Sequence, residues 1–250
     1  MLLSAHPDDD VIGAASVLLS GGAVGVAQLT DGVPRDSRWW SRSAALDEEG
    51  YRTQRRRESE AALAVAGLPL AALHLLGGRD QDAIEEAVPL ARRLAALLSE
   101  IRPARLCTHP YEGGHPDHDA AALIGRAAVS LTPSPPELWE MTSYHLGPDG
   151  GLASARFLGP AGPEEVRHLS APERAGKRRM LEAHASQAAV LAQFMVDLER
   201  FRPAPRYDFH RPPHAGALLY EREGWGRGET WRARAREALA RLGLREDGCR

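Results

Sequence analysis

The chain has 250 residues, 43% of them hydrophobic, and a formal net charge of -3 at pH 7. That length suits one α/β domain, residues 1–250, better than two small ones, and the near-neutral charge gives no general drive toward nucleic acid or an anionic membrane. No uncharged apolar stretch is long enough for a membrane span.

The opening Met-Leu-Leu-Ser-Ala-His-Pro-Asp lacks the basic segment and longer apolar run of a signal peptide. Cys107 and Cys249 match no metal-ligand or disulfide framework, so a reducing, cytoplasmic setting is expected. Lys177 is the only lysine. No Gly-Lys-Ser/Thr phosphate loop occurs, and a Schiff-base enzyme would have a single candidate. The Ala- and Arg-rich composition resembles that of a high-GC bacterial genome.

In chain order, Leu2 to Ala5 reads as a buried parallel strand, and His6-Pro7-Asp8-Asp9-Asp10 follows at once. Apolar residues at helical spacing predict a helix from Val11 to Ser20, stopped by Gly21-Gly22. Ala23 to Leu29 is a second strand, and residues 30–50, with Trp39-Trp40, form a long polar loop of the kind that is usually functional. A charged helix over Tyr51–Ala66, a strand over Leu70–Leu76, a turn at Gly77–Asp80 and a helix over Pro89–Ile101 come next. Ala104 to His109 is another strand, followed by a Gly-rich loop and a helix from Asp117 to Ser130. Four strand–helix alternations argue for a doubly wound, mainly parallel sheet with helices on both faces.

Beyond this core of about residues 1–200 the pattern changes. Leu138–Leu146 and Leu152–Leu158 flank Pro148-Asp149-Gly150-Gly151, a hairpin signal. A long helix is expected from Ala171 to about Phe201. A Pro-rich segment and a terminal helix form the extension 201–250.

Two polar clusters carry the chemistry. His6-Pro7-Asp8-Asp9-Asp10 and His115-Pro116-Asp117-His118-Asp119 each stand where a strand hands over to a helix, the edge at which open α/β sheets bind ligands. Three successive aspartates beside histidines repel one another unless a cation, proton or helix terminus compensates them. His6, Asp9 and His118 give three protein ligands with a position left for water, an arrangement that is catalytic rather than structural. A divalent ion there brings the pKa of water to about 7, and Asp8 is placed to take the proton. Aspartate before an apolar helix is also a good N-cap. Capping accounts for the aspartates but not for His6, His115 and His118. Two histidines and one carboxylate also suit Fe(II), so Zn2+ and Fe2+ both stand as expected cofactors.

Ala5-His6-Pro7-Asp8-Asp9, followed about a hundred residues later by Gly113-Gly114-His115-Pro116-Asp117-His118, resembles the LmbE-like/PIG-L family of zinc de-N-acetylases. The resemblance implies a Rossmann-like fold and removal of an N-acyl group from an N-acetylglucosamine-type conjugate, a small-molecule substrate. It implies His6, Asp9 and His118 as metal ligands, Asp8 as general base, and His115 as oxyanion stabiliser or acid for the amine, oriented by Asp117. Arg55, with Glu58 three residues on, and Asp80 match family substrate contacts, although Arg55-Arg56-Arg57 also reads as a solvated helix face; His184 matches a recurring stretch, but a packed, hydrogen-bonded histidine is the favoured reading. Asp10 stands where Glu is commoner, and Gly113 where some members have Tyr. Substrate identity is expected to reside at Trp39, Trp40 and the Pro-rich tail.

Two other readings remain open from the residues. A Rossmann-like nucleotide-binding module draws on Gly13, Gly21, Gly22 and Gly25, but His-Pro-Asp-Asp occupies the turn where Gly-x-Gly-x-x-Gly belongs. An inactive metal-retaining carbohydrate binder would not need both Asp8 and His115. Oligomeric state is left open.

Overall fold

The computed structural model describes residues 1–41, 47–159 and 162–250; residues 42–46 of the predicted long loop lie outside them. Four strand–helix units come first: β1 (Leu2–Ser4), α1 (Asp9–Leu19), β2 (Val26–Thr30), α2 (Glu48–Val65), β3 (Leu73–Gly78), α3 (Ala87–Ile101), β4 (Arg105–Thr108) and α4 (Pro116–Leu131). β5 (Glu137–Met141), a hairpin of β6 (Tyr144–Leu146) and β7 (Leu152–Ser154), and β8 (Glu165–His168) follow. The chain ends through α5 (Ala171–Ala183), α6 (Ala188–Leu191), β9 (Leu198–Pro203), α7 (Leu219–Arg222) and α8 (Gly228–Leu242).

Seven strands form one sheet in the order β3-β2-β1-β4-β5-β9-β8. The first five are parallel, and β9 and β8 extend the sheet antiparallel. Neighbouring residues of β1 and β2 feed opposite faces, as a period of two requires. Leu2 and Val26 pack with Val11, Leu18, Leu63 and Met180 beneath α1, α2 and α5. Leu3 and Ala27 pack with Leu90, Leu94, Leu123 and Trp231 beneath α3, α4 and α8. Burial on both faces explains why these strands read as mainly apolar runs, interrupted in β2 by Gln28, whose amide donates to the Ser59 hydroxyl.

The expected alternation is present, and three local expectations are corrected. Leu138 to Leu146 is not one strand: β5 ends at Met141 and the hairpin strand begins at Tyr144, so Thr142 and Ser143 leave the sheet at the carboxyl end of β5. The strand expected from Leu70 starts at Leu73, after a single turn of 3-10 helix. The long helix to Phe201 stops at Ala183, and β9 joins the sheet. There the Ser186 hydroxyl and N–H donate to Glu58 (2.6 and 2.9 Å), drawing the chain away from the helical path. β9 was illegible because its charges are buried by pairing: Arg202 Nε donates to Glu140 Oε2 at 2.9 Å, and Glu199 pairs with Lys177. Charged residues at that spacing look like a solvated helix face.

Candidate metal centre

The strand order reverses between β1 and β4, and the two polar clusters leave the sheet at that switch point, where a crevice opens. β1 delivers His6 to Asp10, β4 delivers His109 to Asp119, β3 delivers Asp80 and β5 delivers Ser143 and Tyr144. All come from carboxyl ends of parallel strands.

After β1 the chain must start α1 within four residues. The Asp9 carboxylate accepts the His6 N–H at 2.8 Å, and Asp8 adopts φ 124°, ψ -28°, a strained conformation for a residue bearing a side chain. In the second loop Asp119 accepts the N–H groups of Glu112 and Gly113 (3.1 and 3.0 Å). Gly114 must lack a side chain, since a Cβ there would stand 1.8 Å from the Tyr144 carbonyl oxygen.

These turns bring the predicted residues together. Asp9 lies between the two predicted histidine ligands, its Oδ2 3.1 Å from His6 Nδ1 and its Oδ1 3.2 Å from His118 Nε2. Tetrahedral coordination at about 2.0–2.1 Å puts ligand atoms roughly 3.3 Å apart, close to these separations. His6, His115 and His118 place one ring nitrogen each within 4.8 Å of one another, and so do the donor atoms of Asp9, His109 and His118. His118 Nε2 is buried and makes no aligned hydrogen bond, while its Nδ1 meets the Ser143 hydroxyl at 2.8 Å. An orphaned imidazole nitrogen beside a carboxylate is what a divalent cation fills, so the residues fit a metal.

The charges argue the same way. Burial disfavours a charged His6, yet the Asp80, Asp117 and Asp9 carboxylates hold its pKa well above the usual value. Burial raises Asp9, but His118, His109 and His6 outweigh it and hold its pKa well down. Carboxylates gathered this closely call for positive charge among them, and a divalent cation supplies it. Asp8 is pushed up to about 7 by burial against the opposing pull of Arg55, whose Nη2 donates to Asp8 Oδ2 (3.2 Å) and the Pro7 carbonyl (2.8 Å).

One predicted relationship is redrawn. The Asp117 side chain does not orient His115: its Oδ2 stands 4.0 Å from His115 Nδ1 but 3.1 Å from His6 Nε2. It is the Asp117 backbone N–H that donates to His115 Nδ1, at 3.2 Å. Asp80 joins this side of the centre, 3.6 Å from His6 Nε2. Glu58 faces Ser186 instead of the centre. Buried His184 has no hydrogen-bond partner at either nitrogen, and burial pushes its pKa down to about 3; it is packed, but not hydrogen-bonded.

Four contributors escaped the sequence reading. His109 stacks on His118 with centroids 4.2 Å apart and accepts the Ala5 N–H; its signal was a second His-Pro at a strand end. Ser143 and Tyr144 were hidden inside the supposed long strand. Trp225 comes from the tail to stand 5.1 Å from His115 and 6.3 Å from Trp39, ring to ring. Both tryptophans, with Phe194, line the cavity of about 190 Å3 that contains His6, Asp8 and His115. Trp40 turns away, packing on Tyr51 and donating to the Pro34 carbonyl.

Fold and site together define a doubly wound α/β protein with a His/Asp centre, suited to a divalent metal, at its switch point. Residues 1–129 match the family model described as PIG-L: GlcNAc-PI de-N-acetylase, and the chain belongs to that family. No curated protein matches the chain. Solved structures share its fold. A zinc-inhibited form of a teicoplanin deacetylase is 18% identical, with 80% of this chain and 96% of that one covered and a TM-score of 0.55. The N,N'-diacetylchitobiose deacetylase of Pyrococcus horikoshii is 16% identical (77% and 72% covered, TM-score 0.55). A 4-carboxy-2-hydroxymuconate hydratase from Pseudomonas putida is 15% identical (80% and 93% covered, TM-score 0.55). The hydratase shows that this fold alone does not define the reaction.

Proposed function

We propose that the protein is a metal-dependent hydrolase that removes an N-acyl group, acetyl foremost, from an N-acetylglucosamine-type conjugate. The observation that carries this reading is Asp9 set between His6 and His118, with Asp8 and His115 beside them, in a chain of the de-N-acetylase family. His6, Asp9 and His118 would hold the ion, with Asp117 on the far nitrogen of His6 and Ser143 on the far nitrogen of His118. When bound, the ion supplies Lewis acidity and brings the pKa of water to about 7. Zinc is the first expectation and Fe(II) the second on the same donors.

Asp8 accepts the proton of the attacking water and returns it to the departing amine, a role its place in the cavity beside His6 and His115 allows. His115 Nδ1 accepts the Asp117 N–H, so the neutral ring carries its proton on Nε2. Burial and the neighbouring His6 and His118 favour that neutral form. His115 therefore donates a hydrogen bond to the developing oxyanion. Arg55 and Asp80 line the same cavity and are assigned to sugar hydroxyls, while the Trp39–Trp225 rim is assigned to the aglycone.

The contribution of Trp225 supports residues 1–250 acting as one domain. Cys107 and Cys249 are free thiols, consistent with a reducing, cytoplasmic setting. Among the described residues no helix is long and apolar enough to cross a membrane.

The test is a screen of N-acetylglucosamine conjugates for amine release, with elemental analysis of anaerobically purified protein. Activity abolished by chelator and restored by zinc or Fe(II) is expected. No amine from any conjugate, with metal bound, would sink the deacetylase reading.

A further inference from the structure

We propose that Lys177 and Glu199 are positioning residues for the metal centre, acting as a charged splice across a break in α1. The break lies at Ala14, whose φ -148° and ψ 28° are not helical. In an unbroken helix the Ser16 N–H would meet the Ile12 carbonyl four residues back. Here the Ser16 N–H donates to Glu199 Oε2 at 3.1 Å, and the Ser16 hydroxyl donates to the same oxygen at 2.5 Å. The Ile12 carbonyl accepts from Lys177 Nζ at 2.7 Å, and Nζ closes the circuit on Glu199 Oε1 at 2.9 Å. Donor and acceptor of one helical turn are thus joined through an ion pair supplied by α5 and β9.

Both charged side chains are fully buried. A buried ion pair is a poor route to stability alone, because well-packed apolar replacements are often neutral or stabilising. Its geometric effect is specific. The break divides α1 into a rear half, whose Leu19 packs on Gly176 of α5, and a front turn that carries Asp9 and Asp10 behind the N-cap Asp8. The front turn is seated at Gly13, where a Cβ would lie 2.9 Å from the Met141 side chain and 3.1 Å from the Thr142 carbonyl oxygen. That is the end of β5, the strand that also delivers Ser143 to His118. With the ladder closed, the front turn would realign with the rear half and carry Asp9 off its place between His6 and His118.

The inference rests on the ligand reading given above, and its test separates the two. The full chain carrying Lys177→Met and Glu199→Leu together removes both charges while keeping side-chain bulk. Zinc affinity is measured by competition with a chromophoric chelator, and thermal unfolding and amide hydrogen exchange at residues 9–13 are read on the metal-free protein. The expected result is zinc affinity at least about tenfold weaker, the scale of losing a ligand-orienting contact, with faster exchange at residues 9–13 and a Tm within a few degrees. Unchanged zinc affinity in the folded variant overturns the splice. If that variant does not fold, Ser16→Ala, which loses one hydroxyl from the splice, is read the same way: weaker zinc binding supports it and equal binding overturns it. A wild-type protein that binds no zinc or Fe(II) overturns the ligand reading instead. Exchange at residues 9–13 then decides the splice, faster in the variant supporting it and unchanged overturning it.

Discussion

Around Lys177 and Glu199 buried charge is matched group for group, with the ammonium on a carboxylate and a carbonyl, and the carboxylate on an N–H, a hydroxyl and the ammonium. A few residues back along α1, Asp8, Asp9 and Asp10 are also buried, beside His6, His109, His115 and His118, and there the matching fails. His118 Nε2, His109 Nδ1 and Asp10 Oδ1 have no hydrogen-bond partner. Interiors normally satisfy their polar atoms. Here complete matching accompanies the ion pair that ties α1 to α5 and β9, and incomplete matching accompanies the cluster suited to a cation.

The sharpest way to break that contrast is at Asp8. Asp8→Asn keeps the side-chain shape and the Arg55 contact but cannot accept a proton. We expect kcat to fall about 10²–10⁴-fold with metal content unchanged, read by amine release and elemental analysis. Undiminished turnover would remove Asp8 from the reaction.

Stability offers the next test. Glu199→Ala strands a buried ammonium and is expected to cost about 3–5 kcal/mol in denaturant unfolding. Asp10→Asn removes a carboxylate that lacks a partner at Oδ1 and is expected to leave the metal-free protein as stable or more so. Equal losses from both would erase the distinction between the two clusters. Ser143→Ala is smaller in scale. It frees His118 to turn, and metal affinity should fall about 10–100-fold, measured by chelator competition.

The last effect is spread thinly over pH and concerns Glu112, matched at one oxygen only. It accepts the Leu158 N–H at 2.6 Å and lies 3.7 Å from Arg202, but its Oε2 has no hydrogen-bond partner. Burial pushes its pKa up from 4.5 to about 8. The folded state thus holds this proton more tightly than the unfolded state. Its contribution is fully present below the unfolded value of 4.5 and is lost as pH rises toward about 8. Glu112→Gln cannot titrate, so its stability should fall less steeply across that window, by at most about 1.4 kcal/mol per pH unit. Denaturant midpoints taken across the window check it, and identical slopes would refute the assignment.

How much of this was legible in the sequence follows the same division. The parallel half of the sheet showed itself because β1, β2 and β4 are apolar on both faces and each hands over to a periodic helix. The centre showed itself because helix capping accounts for the aspartates but leaves His6 and His118 unexplained. What stayed hidden depended on pairing between distant segments. Glu199 and Arg202 disguised β9 as solvated helix until Lys177 and Glu140 were seen beside them. Ser143 was lost inside an apparent strand, and Trp225 reaches His115 only because the chain after β9 folds back over the second loop, where the Leu219 N–H donates to the Gly113 carbonyl. The Asp117 side chain was assigned to the wrong histidine because sequence adjacency favoured His115, whereas the turn directs the carboxylate to His6.

The splice has a consequence for surface chemistry. Lys177 is the only lysine among 31 basic residues, and it lies sealed between α1 and β9, so the outside of the molecule carries its positive charge as guanidinium. Reagents that acylate, carbamylate or cross-link primary side-chain amines find no lysine target on the folded surface. Their slow reaction at Lys177 would instead time the openings of α5 against β9, making the one lysine a built-in clock for local unfolding.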